Sequence, residues 1–278
     1  MKTPTHIRPF LKWAGGKRQL LPQLRRHIPE TFERYYEPFI GSGALFLALQ
    51  RNRVVINDSN ADLINCYQVV ENSVEELICA LGQHRNIAEH YYAVRSWDRS
   101  PHYLNRSPIE RAARIIYLNK TCYNGLFRVN SHGHFNVPFG RYTNPKFFDE
   151  DVLRAVSRYM NENEVELRNT DFETAVVDAQ RNDFVYFDPP YDPISDTASF
   201  TGYDVNKFGK AEQNRLKVVV DDLTQRGCKV LLSNAYTPFI VDLYREYRQV
   251  QVEATRAINS NAQRRGKIHE ILVMNYDE

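Results

Sequence analysis

Phe184-Val185-Tyr186-Phe187-Asp188-Pro189-Pro190-Tyr191 is an apolar run of strand character that stops on a carboxylate, two prolines and an aromatic ring. Proline fixes φ and has no N–H to donate, so the two prolines can aim carbonyl groups into a pocket. A carboxylate, a carbonyl and a flat ring together offer two acceptors and a stacking face to an amine on an aromatic ring. The N6 group of adenine is such an amine. A strand that ends in a Pro-containing turn is common; four specified residues directly after one are much less so.

A second motif lies upstream, Glu37-Pro38-Phe39-Ile40-Gly41-Ser42-Gly43. It follows Tyr35-Tyr36 and precedes the helical pattern of Ala44, Leu45, Leu47, Ala48 and Leu49. Strand, Gly-rich turn and helix bring a backbone close to a ligand at a helix N-terminus. The dinucleotide fingerprint requires a small residue at its third position. Phe46 stands there, which argues against NAD. Val54-Val55-Ile56-Asn57-Asp58 then reads as a second buried strand closed by an acid suited to ribose hydroxyls. Both observations fit a cofactor with adenosine and no pyrophosphate, and S-adenosylmethionine leads.

At 278 residues the chain can form one large α/β domain, or a core domain with a smaller second one. No apolar stretch reaches the roughly 20 residues that span a bilayer, and the N-terminus has no signal-peptide core. Cys66, Cys79, Cys122 and Cys228 show no paired spacing, so inert free thiols are expected rather than a zinc site. These features together predict a cytoplasmic protein with no metal and no membrane partner. Net charge is +2, but its distribution is uneven. Between Arg85 and Lys146 ten basic residues face three acids, with Tyr91, Tyr92, Trp97, Tyr103, Tyr117, Tyr123 and Phe127 interleaved. A solvated helical face would be the ordinary reading of such charge; the aromatics tilt it toward nucleic acid.

Periodicity predicts strands at 35–37, 54–58, 165–168, 184–188, 229–234, 250–254 and 270–276. A helix is predicted over 210–226, closed by Gly227. Alternating strands and helices imply a parallel sheet covered on both faces. The last two strands, separated by one loop, are expected to form an antiparallel edge hairpin. The alternation lapses between residues 61 and 149, which predicts an inserted, mainly helical recognition domain with a short ribbon at 135–139. Residues 1–60 and 150–278 would then form the catalytic domain. Ligands of such sheets lie beyond the strand carboxyl ends, where strand order reverses. The Gly41 and Asp188 turns should therefore face each other.

With Phe10-Leu11-Lys12-Trp13-Ala14-Gly15-Gly16-Lys17 and the block Tyr123-Asn124-Gly125-Leu126-Phe127-Arg128-Val129-Asn130, continuing from Phe135 to Tyr142, the chain resembles the Dam-type DNA adenine-N6 methyltransferases. In that group the FxGxG motif precedes DPPY, and the matches run from about Phe10 to near Tyr276. The resemblance implies a class I methyltransferase fold and transfer of a methyl group to adenine in double-stranded GATC, leaving S-adenosylhomocysteine. It implies that Asp188, Pro189, Pro190 and Tyr191 handle the target base, which must be flipped out of the duplex. It places Trp13, Ala14, Lys17, Glu37, Phe39, Gly41, Ser42, Gly43, Asp58, Asp171, Phe172 and Asp188 about the cofactor. Tyr123 and Asn124 would fill the vacated stack. Arg128 and Lys12 would read base edges, and Leu126 and Pro138 would meet a thymine methyl. Arg95, Asn130 and Arg141 would hold phosphates.

The expected enzyme is a monomer, paired in the cell with a GATC endonuclease or a mismatch-repair system. Methylation of RNA adenine or of a protein glutamine stays open from the DPPY site alone, as does a non-catalytic DNA-binding regulator. The span 96–108 has no assigned role and reads as a flexible DNA-facing loop.

Overall fold

The computed structural model describes residues 7–13, 17–193, 208–255 and 267–277. Its strands are β1 (Tyr35–Glu37), β2 (Arg53–Asn57), β3 (Glu164–Arg168), β4 (Phe184–Phe187), β5 (Lys229–Ala235), β6 (Arg248–Thr255) and β7 (Lys267–Met274). They form one sheet in the order β3-β2-β1-β4-β5-β7-β6. The first five run parallel, while β7 is antiparallel to both β5 and β6. All seven predicted strands are present, and the edge hairpin forms as expected.

Side chains alternate across this sheet as a two-residue period demands. Tyr35, Val54, Ile56, Phe184, Tyr186, Leu231 and Leu272 face one apolar cluster; Tyr36, Val55, Val185, Phe187, Val230, Leu232 and Ile271 face the other. Because both faces are covered, β4 can be apolar at every position. The second face is closed by Leu216, Val219, Val220 and Leu223, all on one helix, Lys210–Gln225. That helix ends at Arg226, and Gly227 follows with φ +79°, a conformation that favours glycine.

The first face carries most of the remaining helices. They include α1 (Leu21–Leu24), α2 (Ala44–Leu49), α3 (Ala61–Asn72), α4 (Val74–Gly82), α5 (Ala88–Arg95), α6 (Pro108–Thr121) and α7 (Glu150–Glu162). The central helix α6 opens on a capping box. Ser107 Oγ accepts from the Glu110 N–H, and the Glu110 carboxylate accepts from the Ser107 N–H. Pro108 sits at the start of α6, where its missing N–H costs nothing. Packed against α3, α4 and α5, α6 buries residues on nearly every side. Residues of α3 to α7 and of the sheet share one apolar cluster, so the stretch 61–149 is cored together with the sheet.

The span 96–108 has a definite hydrogen-bonded form. Asp98 Oδ2 accepts from the Phe135 N–H at 2.7 Å and pairs with Arg114 Nη2 at 2.7 Å. Arg99 Nη2 donates to the Phe135 carbonyl at 3.0 Å, and Arg106 stacks on Trp97. This loop is therefore a clamp on the ribbon near Phe135, a role that residue spacing did not reveal. The ribbon consists of two isolated bridges, Val129 with Phe135 and Cys122 with Phe139.

Candidate active site and nucleic-acid interface

Strand order reverses between β1 and β4, the two central parallel neighbours. Their carboxyl ends lead into the Gly41 turn and the Asp188 turn, so the two principal motifs meet at this crevice as expected.

The Gly41 turn is shaped by close approach. Gly41 has φ +47° and Gly43 φ +66°. A Cβ on Gly41 would lie 2.9 Å from Trp13 Cδ1, and one on Gly43 would lie 2.7 Å from the Tyr67 hydroxyl. Any side chain at either position would collide with these neighbours. The Gly41 N–H donates to Asp58 Oδ2 at 3.2 Å, its carbonyl accepts from the Tyr67 hydroxyl, and Asn60 N–H donates to Asp58 Oδ1. Asp58 thus lies just beyond β2, tied to the turn it faces. Asn57, inside the strand, ties two neighbouring loops together. Its amide group donates to the Pro38 and Thr170 carbonyls, and its Oδ1 accepts from the Thr170 N–H. One buried side chain thereby joins the loops after β1 and β3. The only sequence signal was a polar residue at the end of an apolar run.

Phe39 packs on Phe172, with ring centroids 5.5 Å apart, and edge-on to Phe187 and Phe208. Asp171 pairs with Arg215 at 2.6 Å, and that guanidinium also covers the Phe172 ring. Ser42, in the glycine turn, is buried. Ala14 lies outside the described residues.

Glu37 is held inside the framework. Its Oε2 accepts from the Tyr35 hydroxyl at 2.6 Å and from the Phe46 N–H at 3.0 Å. Burial pushes its carboxyl up to about 8, and the nearby Asp188 charge adds to the rise. At neutral pH Glu37 is therefore mostly a neutral acid. With a folded value above the unfolded one, its stabilising contribution is complete below the ordinary carboxylate range. It is lost as pH rises through about 8. Glu37→Gln is expected to keep stability near pH 5 within about 1 kcal/mol of the original and to be the more stable protein at neutral pH. It should also flatten the decline in denaturation midpoint between about pH 5 and pH 8. Parallel pH slopes for the two proteins would rule this out.

Asp188 sits at the end of β4 with Lys17 Nζ 2.8 Å from its Oδ1. Ser233 Oγ donates to the same oxygen at 2.9 Å. Burial raises the Asp188 carboxyl above its ordinary range, and Lys17 and Ser233 offset part of that rise. Lys17 also lies 4.4 Å from the centre of the Tyr191 ring, whose hydroxyl donates to Glu270 Oε2 at 2.7 Å. Gln213 Nε2 donates to the Pro190 carbonyl, and Asn234 donates to Gln213 in turn. Of the two prolines in this turn, Pro190 has its carbonyl bonded to Gln213, while Pro189 is buried next to Asp188. Gln213, Asn234 and Ser233 had no motif to mark them; they reach the turn from a distant helix and β5.

Helix α6 joins two of the segments that carry proposed nucleic-acid residues. Asn119, fully buried on α6, bonds both the N–H and the carbonyl of Lys12. It also reaches the Gly125 carbonyl at 3.4 Å. Trp13 stacks on Phe127, with centroids 4.7 Å apart. The N-terminal motif and the 123–130 block are thereby one surface, although about 110 residues of chain separate them. Tyr123 is half exposed, and Asn124 adopts a left-handed φ of +57°. Leu126 is half-buried, and Pro138 and Arg141 are exposed. Arg128 is exposed, and its Nε donates to Asn136 Oδ1 at 2.7 Å. Arg95 and Asn130 have structural partners. Arg95 donates to the Val137 carbonyl, and Asn130 Oδ1 accepts from the His132 and His134 N–H groups.

Among the described residues no helix is long and apolar enough to cross a membrane, and no cluster of metal-binding side chains is present. Residues 13–258 match the D12 class N6 adenine-specific DNA methyltransferase family. The chain is 46% identical over 277 residues to the Type II methyltransferase M1.LlaDCHI of Lactococcus lactis subsp. cremoris, covering 99% of this chain and 98% of that one. It is 42% identical to the Type II methyltransferase M.MjaIII of Methanocaldococcus jannaschii, covering 97% and 99%. Identity to the DNA adenine methylase of Escherichia coli K12 is 36%, over 96% and 95%. A family match along most of the sequence, and relatives aligned nearly end to end, agree with the geometry of the Gly41 and Asp188 turns. The chain belongs to the D12 class N6 adenine-specific DNA methyltransferases.

Proposed function

We propose that the enzyme methylates N6 of adenine within double-stranded GATC, acting on a base flipped out of the duplex. The observation that carries this reading is Asp188. It stands at the β1–β4 crevice beside the glycine cradle, with both described bonds on Oδ1. Its Oδ2 and the Pro189 carbonyl accept the two amine hydrogens, and the Tyr191 ring stacks on the base. The amine lone pair, otherwise delocalised into the ring, is thereby directed toward the methyl group. Orientation and fixed electrostatics supply the catalysis.

S-adenosylmethionine would lie against this turn, where Gly41 and Gly43 let Trp13 and Tyr67 close on the backbone. Trp13, Lys17, Phe39, Ser42, Asp58, Asp171 and Phe172 would surround the cofactor, with Asp58 toward the ribose and Phe172 toward the adenine. Glu37 supports them from beneath. When bound, the cofactor supplies the methyl group and departs as S-adenosylhomocysteine.

On the DNA side, Tyr123 and Asn124 enter the space left by the base, and Leu126 meets a thymine methyl. Arg128 reads a guanine edge, as a guanidinium can contact O6 and N7 together. Lys12 and Pro138 add base contacts, and Arg95, Asn130 and Arg141 hold phosphates. The stretch 61–149 serves recognition while sharing its core with the sheet.

Labelled methyl transfer to two duplexes differing only in GATC against GTTC tests this. Label on the first alone supports the reading; equal label on both removes the GATC assignment and keeps the chemistry. Arg128→Ala is expected to lose about 1–3 kcal/mol of discrimination at one base pair. Arg141→Ala should weaken cognate and altered duplexes alike. Equal losses on both duplexes for Arg128→Ala would end its role as a base reader.

A further inference from the structure

The crevice contains a buried hydroxyl pair next to Asp188. Ser233 is fully buried on β5, and its Oγ lies 2.9 Å from Asp188 Oδ1 and 3.0 Å from the Tyr186 hydroxyl. A serine hydroxyl has one hydrogen. Since Asp188 as a carboxylate can only accept, that hydrogen goes to Oδ1, and Tyr186 must donate to Ser233. The order Tyr186 to Ser233 to Asp188 is thus dictated by donor arithmetic. Tyr186 is itself fixed at the centre of β4 and buried.

We propose that Ser233, oriented by Tyr186, is a positioning residue that holds Asp188 with Oδ1 turned inward and Oδ2 presented to the adenine amine. This rests on reading Asp188 as the amine acceptor. Lys17 also approaches Oδ1, but it reaches the carboxylate from the N-terminal motif beside the Tyr191 face. Ser233 approaches from the neighbouring strand of the sheet. Two anchors on one oxygen fix the carboxylate plane, which neither sets alone. The charged and titratable groups facing this carboxylate are Lys17, Glu37 from β1, Tyr186 from β4, Tyr191, and Glu270 from β7.

Hydrogen bonding to a carboxylate favours its charged form, so removing the Ser233 donor raises the Asp188 pKa further. Ser233→Ala is expected to lower kcat about tenfold and to shift the acid limb of kcat toward higher pH by about one unit. KM for DNA and for S-adenosylmethionine should stay within about twofold. Tyr186→Phe should shift the same limb by less, and the double variant should be no worse than Ser233→Ala alone. Ser233→Thr should restore both kcat and the limb. An unmoved acid limb in both single variants, with Asp188→Asn inactive, overturns the positioning role alone. If Asp188→Asn turns over normally, the acceptor reading falls and this inference falls with it.

Discussion

Asp188→Ala is expected to lower single-turnover methyl transfer by about 10²–10⁴-fold while S-adenosylmethionine still binds. The substitution removes the acceptor for an amine hydrogen and leaves the Gly41 cradle, Asp58 and Phe172 in place. Cofactor affinity measured by calorimetry should change far less than the rate. In the unaltered enzyme burial holds the Asp188 carboxyl above its ordinary range. If the carboxylate is the working form, activity falls as pH drops through that raised value. The acid limb should then lie above the usual aspartate range. Asp188→Asn keeps one acceptor oxygen and loses the charge, so it should retain more activity than alanine. Turnover near the original rate in either variant would remove Asp188 from the reaction.

Arg114→Ala is expected to cost about 3–5 kcal/mol of folding stability. This side chain is almost wholly buried on α6. It pairs with Asp98 at 2.7 Å and donates to the Val94 and Arg95 carbonyls. Removing it takes the buried guanidinium from Asp98, which keeps only the more exposed Arg99, and leaves Arg111 as the cation that offsets the nearby Asp62. The damage should spread, because Asp98 also holds the Phe135 N–H and so the ribbon that carries Arg128 and Asn136. Arg114→Lys should recover little, since one ammonium cannot reproduce the planar set of donors. Denaturant unfolding within about 1 kcal/mol of the original would refute the account. A variant that stays folded should lose affinity for DNA before it loses affinity for S-adenosylmethionine.

The two predictions concern residues of opposite visibility. Asp188 stood out because a carboxylate closes an apolar strand and two prolines follow. Arg114 stood out only as one of ten basic residues between Arg85 and Lys146, a set that reads as a footprint for phosphates. Its burial shows that net charge along a segment does not say which charges face solvent.

Local pattern determined what can be stated from neighbours in the chain: seven strands, the glycine turn, the acid after β2 and the residues after β4. A strand needs only its own alternation, and a left-handed turn needs only its own glycine. Tertiary structure decided everything that depends on a partner distant in sequence. It chose Ser233 and Lys17 for Asp188, Gln213 for Pro190, Asn119 for Lys12 and Asp98 for Phe135. Each is a short polar contact between segments brought together by burying apolar surface. The energy that unites the segments comes from Leu, Ile, Val and aromatic side chains, so the polar partner at the meeting point leaves no periodic trace in the sequence.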